Sequence, residues 1–179
     1  MELLLTVEKS VLWLFEDNAF CRENLRNEAR KRGVNPDRLL FAKKLPLAEH
    51  LARHRCADLF LDTLPYNAHT TASDALWTGL PLLTQIGQTF AGRVAASLLN
   101  AVGLPELVTK STKEYRSLAI ELASDEARLA FLKRKLSDSR PTAPLFDAKL
   151  YTQHLEAAYT TMYERYKADL PPAHIHVSP

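Results

Sequence analysis

The chain has 179 residues, of which 46% are hydrophobic and 25% charged, and its formal net charge at pH 7 is only +2. This composition is typical of one soluble globular domain with a substantial core. So small a charge excludes an electrostatic argument for binding nucleic acid or a membrane surface. Two distant cysteines, Cys21 and Cys56, and the lack of a signal-peptide pattern favour a reduced, cytoplasmic protein.

Short apolar runs recur along the first 110 residues, each bounded by turn-forming residues. Runs of this length and composition are typical of buried strands in a parallel sheet. Between them, leucines and alanines recur at helical spacing, as Leu47 and Leu51 do. The predicted strands are residues 11–15, 38–41, 58–61 and 81–84, with a short last strand within 103–108.

Helices are predicted between these strands and through the C-terminal third of the chain. Glycines such as Gly33 and Gly79 follow the helical patterns and mark their ends. Trp13 and Trp77, and the tyrosines of the last helix, are predicted to pack inside the protein. The predicted helices are residues 24–31, 46–55, 71–77, 93–101, 113–123, 126–137 and 149–166.

The alternation of strands and helices predicts an α/β fold, a Rossmann-like parallel sheet with helices on both faces. Ligands of such sheets bind beyond the carboxyl ends of the strands. The fold normally opens with a strand, whereas residues 1–8 read as the last turns of a helix. We therefore expect the first strand to be missing, one domain at residues 1–168 and a flexible tail at 169–179.

The most informative segment is the turn and helix start that follow the third predicted strand. His69, Thr70 and Thr71 bring an imidazole and two hydroxyls to a helix N-terminus. Free N–H groups and the positive end of the helix dipole favour an anion such as phosphate there. Thr71 and Asp74 have the spacing of a capping box, so Asp74 is either a cap alone or a cap that also contacts ligand. The alternative for His69 is an ordinary loop histidine.

A second turn of small residues, 87–92, falls at the same predicted sheet edge. Thr89 and Arg93 are therefore candidates for lining the cleft, although Arg93 has the alternative of binding a carboxylate of its own loop. His174 and His176, in the tail, make a poor metal site, and no metal is expected.

Several blocks of the sequence, in order, resemble the C-terminal catalytic half of the O-linked N-acetylglucosamine transferases, the SPINDLY-like enzymes that glycosylate Ser and Thr of proteins. The resemblance extends from about residue 10 to residue 166. The blocks include Ser10-Val-Leu-Trp-Leu14, Ala57-Asp-Leu-Phe-Leu-Asp-Thr63, Asn67-Ala-His-Thr-Thr71, Asp74-Ala-Leu-Trp77, Gly79-Leu-Pro81, Arg93-Val-Ala-Ala-Ser97 and Pro144-Leu-Phe146.

This resemblance implies the C-terminal half of a two-domain GT-B glycosyltransferase that works without a metal or other cofactor. The donor would be a nucleotide sugar, UDP-N-acetylglucosamine or, as in the SPINDLY branch, GDP-fucose. It also implies which residues bind that donor. They are His69, Thr70 and Thr71 at the diphosphate, Asp74 at the ribose, and His50 and Arg53 at the base, the alternative for the last two being ordinary surface residues.

The chain also departs from the family pattern. Leu45 and Leu47 stand where the vertebrate-type enzymes have Ala and Lys. Leu47 cannot donate a hydrogen bond to a ribose, although the backbone of Leu45 can still reach the base. A nucleotide-gripping Gln and Lys, and the N-terminal catalytic half that helps bind the acceptor, would lie upstream of Met1.

The first hypothesis is that the chain is the UDP-N-acetylglucosamine-binding part of a protein O-GlcNAc transferase, which transfers N-acetylglucosamine to Ser or Thr. It is not expected to act alone, because a GT-B enzyme reacts in the cleft between two halves. The alternative is a non-catalytic truncated binding or interaction module, or one half of a split glycosyltransferase. A nucleotide-sugar epimerase is a weaker alternative. Expected partners are a protein acceptor, a complementing N-terminal half, or a second copy that joins through an open sheet edge.

Overall fold

The computed structural model describes residues 1–177, which contain five short strands and eight α-helices joined by loops and short turns. Residues 178 and 179 of the predicted tail lie outside the described residues. The strands are β1 (Leu12–Phe15), β2 (Leu39–Ala42), β3 (Phe60–Leu61), β4 (Leu82–Gln85) and β5 (Val108–Thr109). The helices are α1 (Glu2–Thr6), α2 (Ala19–Lys31), α3 (Leu47–Arg53), α4 (Thr70–Trp77), α5 (Val94–Ala101), α6 (Thr112–Ser124), α7 (Glu126–Ser139) and α8 (Ala148–Lys167).

All paired strands run parallel, which confirms the predicted α/β class, and they form two hydrogen-bonded groups. In the first group β1 pairs with β2, and Leu14 lies opposite Phe41. In the second group β4 lies between β3 and β5. Within the described part of the chain, no strand pairing joins the two groups.

The larger core surrounds β4, whose Leu82 and Leu83 are fully buried. A strand that has a neighbour on each side and helices over it buries side chains on both of its faces. Helix α4 contributes Leu76 to this core, which then continues through the loop before β5 into the C-terminal helices. Its other large members are Leu99, Val102, Leu104, Leu107, Leu122, Leu132 and Leu136.

A smaller core lies against β1 and β2. Its buried members are Leu4 of α1, Ala29 of α2, Val34 and Leu39, and the side chains of β1 are only partly buried around them. Helix α2 begins at residue 19, five residues before the predicted start. The reason is that the Asn18 side chain accepts the Cys21 N–H at 2.8 Å and caps the helix.

Two packing predictions are wrong. Trp77 is 51% exposed, because it lies on the outer face of α4 with the Arg140 guanidinium 5.4 Å from its ring centroid. Helix α8 contributes no buried residue, and its tyrosines are exposed, because the turn at residues 144–146 rather than the helix packs on the core. Across residues 1–177, no helix is both long and apolar enough to cross a membrane.

Candidate functional site

An open groove of about 510 Å³ lies at the carboxyl end of β3 and reaches the N-terminus of α4. Three of the predicted binding residues, His69, Thr70 and Thr71, line it together. The groove is therefore at the sheet edge where a parallel α/β fold places its ligands. The rest of its lining is Phe60, Leu61, Asp62, Thr63, Tyr66, Asn67 and Ala68.

The helix start that borders this groove has no side-chain cap. His69 is the N-cap residue, and its side chain accepts no N–H of the helix. The capping box predicted between Thr71 and Asp74 is wrong, because the helix begins at Thr70 and Thr71 therefore lies inside its first turn. The N–H groups of His69, Thr70 and Thr71 donate to no described residue. Three free donors thus coincide with the positive end of a helix dipole.

The longer helices differ from α4 at their N-termini. Each helix of 13 residues or more has a side chain that accepts an N–H of its first turn. Such caps occupy the donors that an anion would otherwise bind. The N-terminus of α4 is therefore open to a ligand in a way that these four helix starts are not. The capping residues are Asn18, Ser111, Asp125 and Asp147.

A buried carboxylate holds the turn that carries the groove. Asp62 is 4% exposed, and its two oxygens accept the Ala68 N–H at 2.7 Å and the Thr84 hydroxyl at 2.6 Å. Its carbonyl oxygen accepts the Tyr115 hydroxyl at 2.8 Å. Burial raises the pKa of Tyr115, and the charge of Asp62 adds to the rise, so the phenol remains a donor at neutral pH. Asp62 was not predicted to belong to the site, although an acid directly after a buried strand is a usable signal.

Two aromatic side chains hold the imidazole of His69. Tyr66 stacks on it, with the ring centroids 4.7 Å apart and the planes 17° from parallel. Phe90 lies edge-on to it at 6.1 Å. The Nε2 atom of His69 is 3.4 Å from the carbonyl oxygen of Ala91. This packing limits the rotation of the ring and leaves Nδ1 as its other polar atom. Neither aromatic residue was predicted to belong to the site.

The second small-residue turn packs directly against the first. The Asn67 N–H donates to the Ala91 carbonyl at 3.0 Å and so joins the two turns. Within the second turn, the Gly87 N–H donates to the Gly92 carbonyl at 2.6 Å. A Cβ atom added to Gly92 would lie only 3.3 Å from the Pro65 carbonyl oxygen. Glycine at this position allows the two turns to approach each other so closely.

The structure does not place Thr89 or Arg93 on the groove. The hydroxyl oxygen of Thr89 accepts the Gly92 N–H at 3.1 Å and closes its own turn. Arg93 is exposed just before α5, and among the described residues its guanidinium forms no ion pair, so the alternative of a carboxylate partner is not supported.

The predicted base-binding residues lie on α3. Arg53 donates from one terminal nitrogen to Nδ1 of His50 at 2.7 Å and from the other to the carbonyl oxygen of Lys43 at 2.7 Å. Its guanidinium lies 5.6 Å from the ring centroid of Trp13 in β1. These contacts orient Arg53 and leave Nε2 of His50 for another partner. Leu45, 37% exposed, lies in the loop that leads into this helix.

The side chain of His54, the residue that follows α3, contacts both α3 and the end of α4. Its ring meets that of His50 edge-on with centroids 4.7 Å apart, and its Nδ1 is 3.4 Å from the hydroxyl oxygen of Thr78. Burial lowers the pKa of His54, the neighbouring His50 adds to the shift, and Asp74 opposes it. Asp74 is half-buried in the second turn of α4. His50, Arg53 and Asp74 do not line the groove at the α4 N-terminus.

A parallel α/β fold with an uncapped helix start at its carboxyl edge is the arrangement of nucleotide-binding domains. Residues 1–155 match the family model described as Glycosyl transferase family 41. The chain belongs to this family of glycosyltransferases.

Named relatives are consistent with this membership. The chain is 39% identical over 175 residues to a Caenorhabditis elegans UDP-N-acetylglucosamine–peptide N-acetylglucosaminyltransferase, a match that covers 98% of this chain and 15% of that protein. It is 36% identical over 176 residues to an Arabidopsis thaliana protein described as a probable enzyme of the same activity, SEC, and covers 18% of it. The chain thus spans less than a fifth of the length of these relatives.

The fold also matches a solved structure. The Thermobaculum terrenum O-GlcNAc transferase mutant K341M aligns with a TM-score of 0.84 and 33% identity, over 90% of this chain and 32% of that chain. The similarity confirms the prediction of a Rossmann-like half of a GT-B glycosyltransferase.

Proposed function

We propose that this chain is the part of a protein O-GlcNAc transferase that binds the nucleotide sugar UDP-N-acetylglucosamine. The observation that carries the proposal is the uncapped start of α4, where the N–H groups of His69, Thr70 and Thr71 border an open groove. The names of the relatives supply the identity of the nucleotide sugar.

The diphosphate would bind at the N-terminus of α4. Free N–H groups, the hydroxyls of Thr70 and Thr71, and the helix dipole together supply donors and positive potential without a metal ion. The same groups would stabilise the negative charge that grows on UDP as it leaves the sugar, so they contribute to rate as well as to affinity. The stacked ring of His69 would add a donor whose orientation Tyr66 already restricts.

The nucleoside would extend from this groove toward α3. Asp74, as a carboxylate, can accept hydrogen bonds from the two ribose hydroxyls. His50 and Arg53 would contact the base, since the contacts of Arg53 with Lys43 and Trp13 hold both side chains in place before ligand arrives. Leu45 would contribute its backbone to the base.

Transfer of the sugar would need a second protein wall. The groove is open, and a glycosyltransferase of this architecture reacts in the cleft between two halves, where water is excluded. We therefore assign donor binding to this chain and place the Ser/Thr acceptor and the base that activates it on a complementing half. The openness of the groove equally favours the alternative of a module that binds the nucleotide sugar without catalysing transfer.

Calorimetric titration with UDP and uridine tests the proposal. The double variant Thr70→Val plus Thr71→Val removes two hydroxyls while it retains the side-chain shape. We expect it to weaken UDP binding by about 10- to 100-fold, as loss of charge-assisted hydrogen bonds would, and to leave uridine binding unchanged. Thr112→Val at the start of α6 is the matched control, because that helix is already capped by Ser111. Equal UDP affinity in all three proteins would refute the contribution of the two hydroxyls to diphosphate binding.

A transfer assay separates the two functional alternatives. The chain alone is expected to transfer no N-acetylglucosamine to a Ser/Thr peptide. Activity that returns when the remaining portion of the Thermobaculum terrenum enzyme is added would identify a complementing half. Continued inactivity with intact UDP binding would identify a binding module.

A further inference from the structure

Helix α8 exposes a concentrated apolar surface, here called the tyrosine stripe. The helix has 20 residues and none of them is buried. The exposed fraction of the large apolar side chains in the stripe runs from 36% at Leu155 to 77% at Tyr166. Most of the stability of a helix in water comes from packing an apolar face. The members of the stripe are Tyr151, Leu155, Tyr159, Met162, Tyr163 and Tyr166.

The tyrosine stripe occupies one side of α8. Its members recur at intervals of three and four residues, which places them on the same face of a helix with 3.6 residues per turn. Gln153, Ala157 and Glu164, which are also exposed, lie on the opposite side. No member of the stripe belongs to either core of the described residues. The helix is therefore amphipathic, but its apolar side lacks a partner in residues 1–177.

The spacing along α8 reads the same in both directions. Reversing the helix about the midpoint between residues 158 and 159 exchanges two rows of residues that are four apart. The first row is Tyr151, Leu155 and Tyr159, and the second row is Ala158, Met162 and Tyr166.

This symmetry makes the tyrosine stripe complementary to itself. A two-fold interface brings the same surface of two copies together in opposite directions. With the axis at the midpoint of α8, Leu155 of each copy faces Met162 of the other, and the small Ala158 leaves room for the ring of Tyr159. Rows of residues four apart that pack into each other give the commonest geometry of helix pairs in globular proteins.

The area of the stripe is sufficient for a specific but weak dimer. A tyrosine side chain offers roughly 150–250 Å², and more than half of each tyrosine in the stripe is exposed. Covering the stripe on two copies would therefore remove on the order of 1,200 Å² from water. A specific interface needs about 1,000 Å², and the standard size is about 1,600 Å².

Charge favours a second copy over a membrane surface as the partner. Helices that lie on membranes carry Lys and Arg along their polar face. The side of α8 opposite the stripe instead carries Gln153, Thr160 and Glu164. The formal net charge of only +2 on the whole chain gives little repulsion between two copies.

We propose that the tyrosine stripe binds the tyrosine stripe of a second copy of this chain, with the two α8 helices antiparallel about a two-fold axis. Self-association was expected through an open sheet edge, whereas this surface lies on a helix. The inference does not depend on nucleotide binding.

Sedimentation equilibrium of the full chain tests the dimer. The measured mass should rise from 20.2 kDa toward twice that value with increasing concentration. An interface of this area predicts a dissociation constant of about 1–100 μM. Leu155→Lys and Met162→Glu each place an unpaired charge in the interface, and each should weaken association by at least about tenfold. Circular dichroism should show folded variants, since both side chains are exposed.

Ala157→Lys is the matched control, because it adds the same charge on the opposite side of α8. We expect this variant to dimerise like the original chain. Equal weakening by Ala157→Lys and Leu155→Lys would overturn the proposal, since association would then respond to charge and not to the stripe.

The double variant Leu155→Lys plus Met162→Glu tests the direction of pairing. In an antiparallel dimer each lysine faces a glutamate of the other copy, so association should recover by at least about tenfold relative to either single variant. In a parallel dimer lysine would face lysine. Within one helix the two positions are about 10 Å apart, so they do not compensate inside a single copy.

Three further results would overturn the proposal. They are a monomer across the whole concentration range, a dimer that both single variants leave intact, and a double variant that associates no better than the single variants. Binding of the stripe to the remaining portion of the Thermobaculum terrenum enzyme, by a chain that is monomeric alone, would also overturn it. That result would make another protein surface the occupant of the stripe.

Discussion

The region around β4 and the region around β1 differ in how completely they are packed, although both are built from parallel strands and helices. The first buries Leu82 and Leu83 completely and extends its core through four helices. The second buries four residues, and the side chains of β1 are only partly covered. The difference shows that the burial of a strand depends on its neighbours, since β4 pairs on both edges and β1 pairs with β2 alone. The groove proposed for the diphosphate lies on the well-packed region, and His50 and Arg53, the residues proposed to bind the base, lie where the two regions meet.

The largest predicted effect is on the free energy of unfolding when a core leucine is shortened in each region. Leu82→Ala should cost about 3–5 kcal/mol, because the surrounding side chains have no room to relax into the cavity. Leu39→Ala should cost nearer about 2 kcal/mol, since its partly exposed neighbours can close over the gap. Urea denaturation followed by circular dichroism measures both values, and a greater cost at Leu39 would contradict the comparison.

The two tryptophans can report on the two regions separately. Trp13 lies in β1 and Trp77 in α4. The Trp77→Phe variant keeps only Trp13, so its fluorescence follows the region around β1. The Trp13→Phe variant keeps only Trp77, so its fluorescence follows the region around β4. The transition seen by Trp13 should come at lower urea than the transition seen by Trp77. Coincident transitions would show that the regions unfold as one unit.

The next largest effect concerns the buried carboxylate beneath the groove. Asp62→Ala should cost about 2–4 kcal/mol, because it leaves the Ala68 N–H and the Thr84 hydroxyl without acceptors. Asp62→Asn retains one acceptor oxygen and should cost less. Thermal unfolding checks the stability, and a loss below about 1 kcal/mol in Asp62→Ala would mean that the turn is held by its other contacts.

A smaller effect is expected from the corresponding polar contact of the β1–β2 region. Arg38 donates to the carbonyls of Ser10 and Val7 at 2.8 and 2.6 Å and ties the start of β1 to β2. Arg38→Lys keeps the charge but loses the forked geometry, so we expect about 1 kcal/mol of destabilisation. The transition reported by Trp13 should shift, and that reported by Trp77 should not. An equal shift at both tryptophans would count against separate regions.

The smallest effect is a pH dependence that originates where the regions meet. Because burial lowers the pKa of His54 in the folded chain, the unfolded chain binds more protons as the pH falls below about 6.5. Stability should therefore decrease on acidification through that range and stay level above it. His54→Gln should reduce this decrease, whereas His154→Gln on α8 should leave it unchanged. Identical pH profiles for the wild type and His54→Gln would contradict this assignment.

Much of the fold could be predicted from the sequence because strand and helix periods are local properties. The strands at residues 11–15 and 81–84 and the helix ends at Gly33 and Gly79 followed from apolar runs and glycine alone. The separation of the strands into two groups could not be predicted in this way, since it depends on which edges find partners.

The candidate site was predicted only in part for a similar reason. The helix start at residues 69–71 has a local signal of small polar residues after a strand. The support from Asp62 and Tyr115 joins positions 53 residues apart, and the stack of Tyr66 on His69 depends on side-chain orientation. The capping box failed because a spacing of three residues does not specify where the first turn of a helix begins.

The central claim, that a diphosphate binds at the start of α4, is tested most directly by NMR titration of the ¹⁵N-labelled chain with UDP. The backbone amides of His69, Thr70 and Thr71 should show the largest shift changes, because their N–H groups have no partner before the ligand arrives. Uridine without phosphates should leave these three amides unchanged. Saturable UDP binding with its largest shift changes elsewhere would contradict the account.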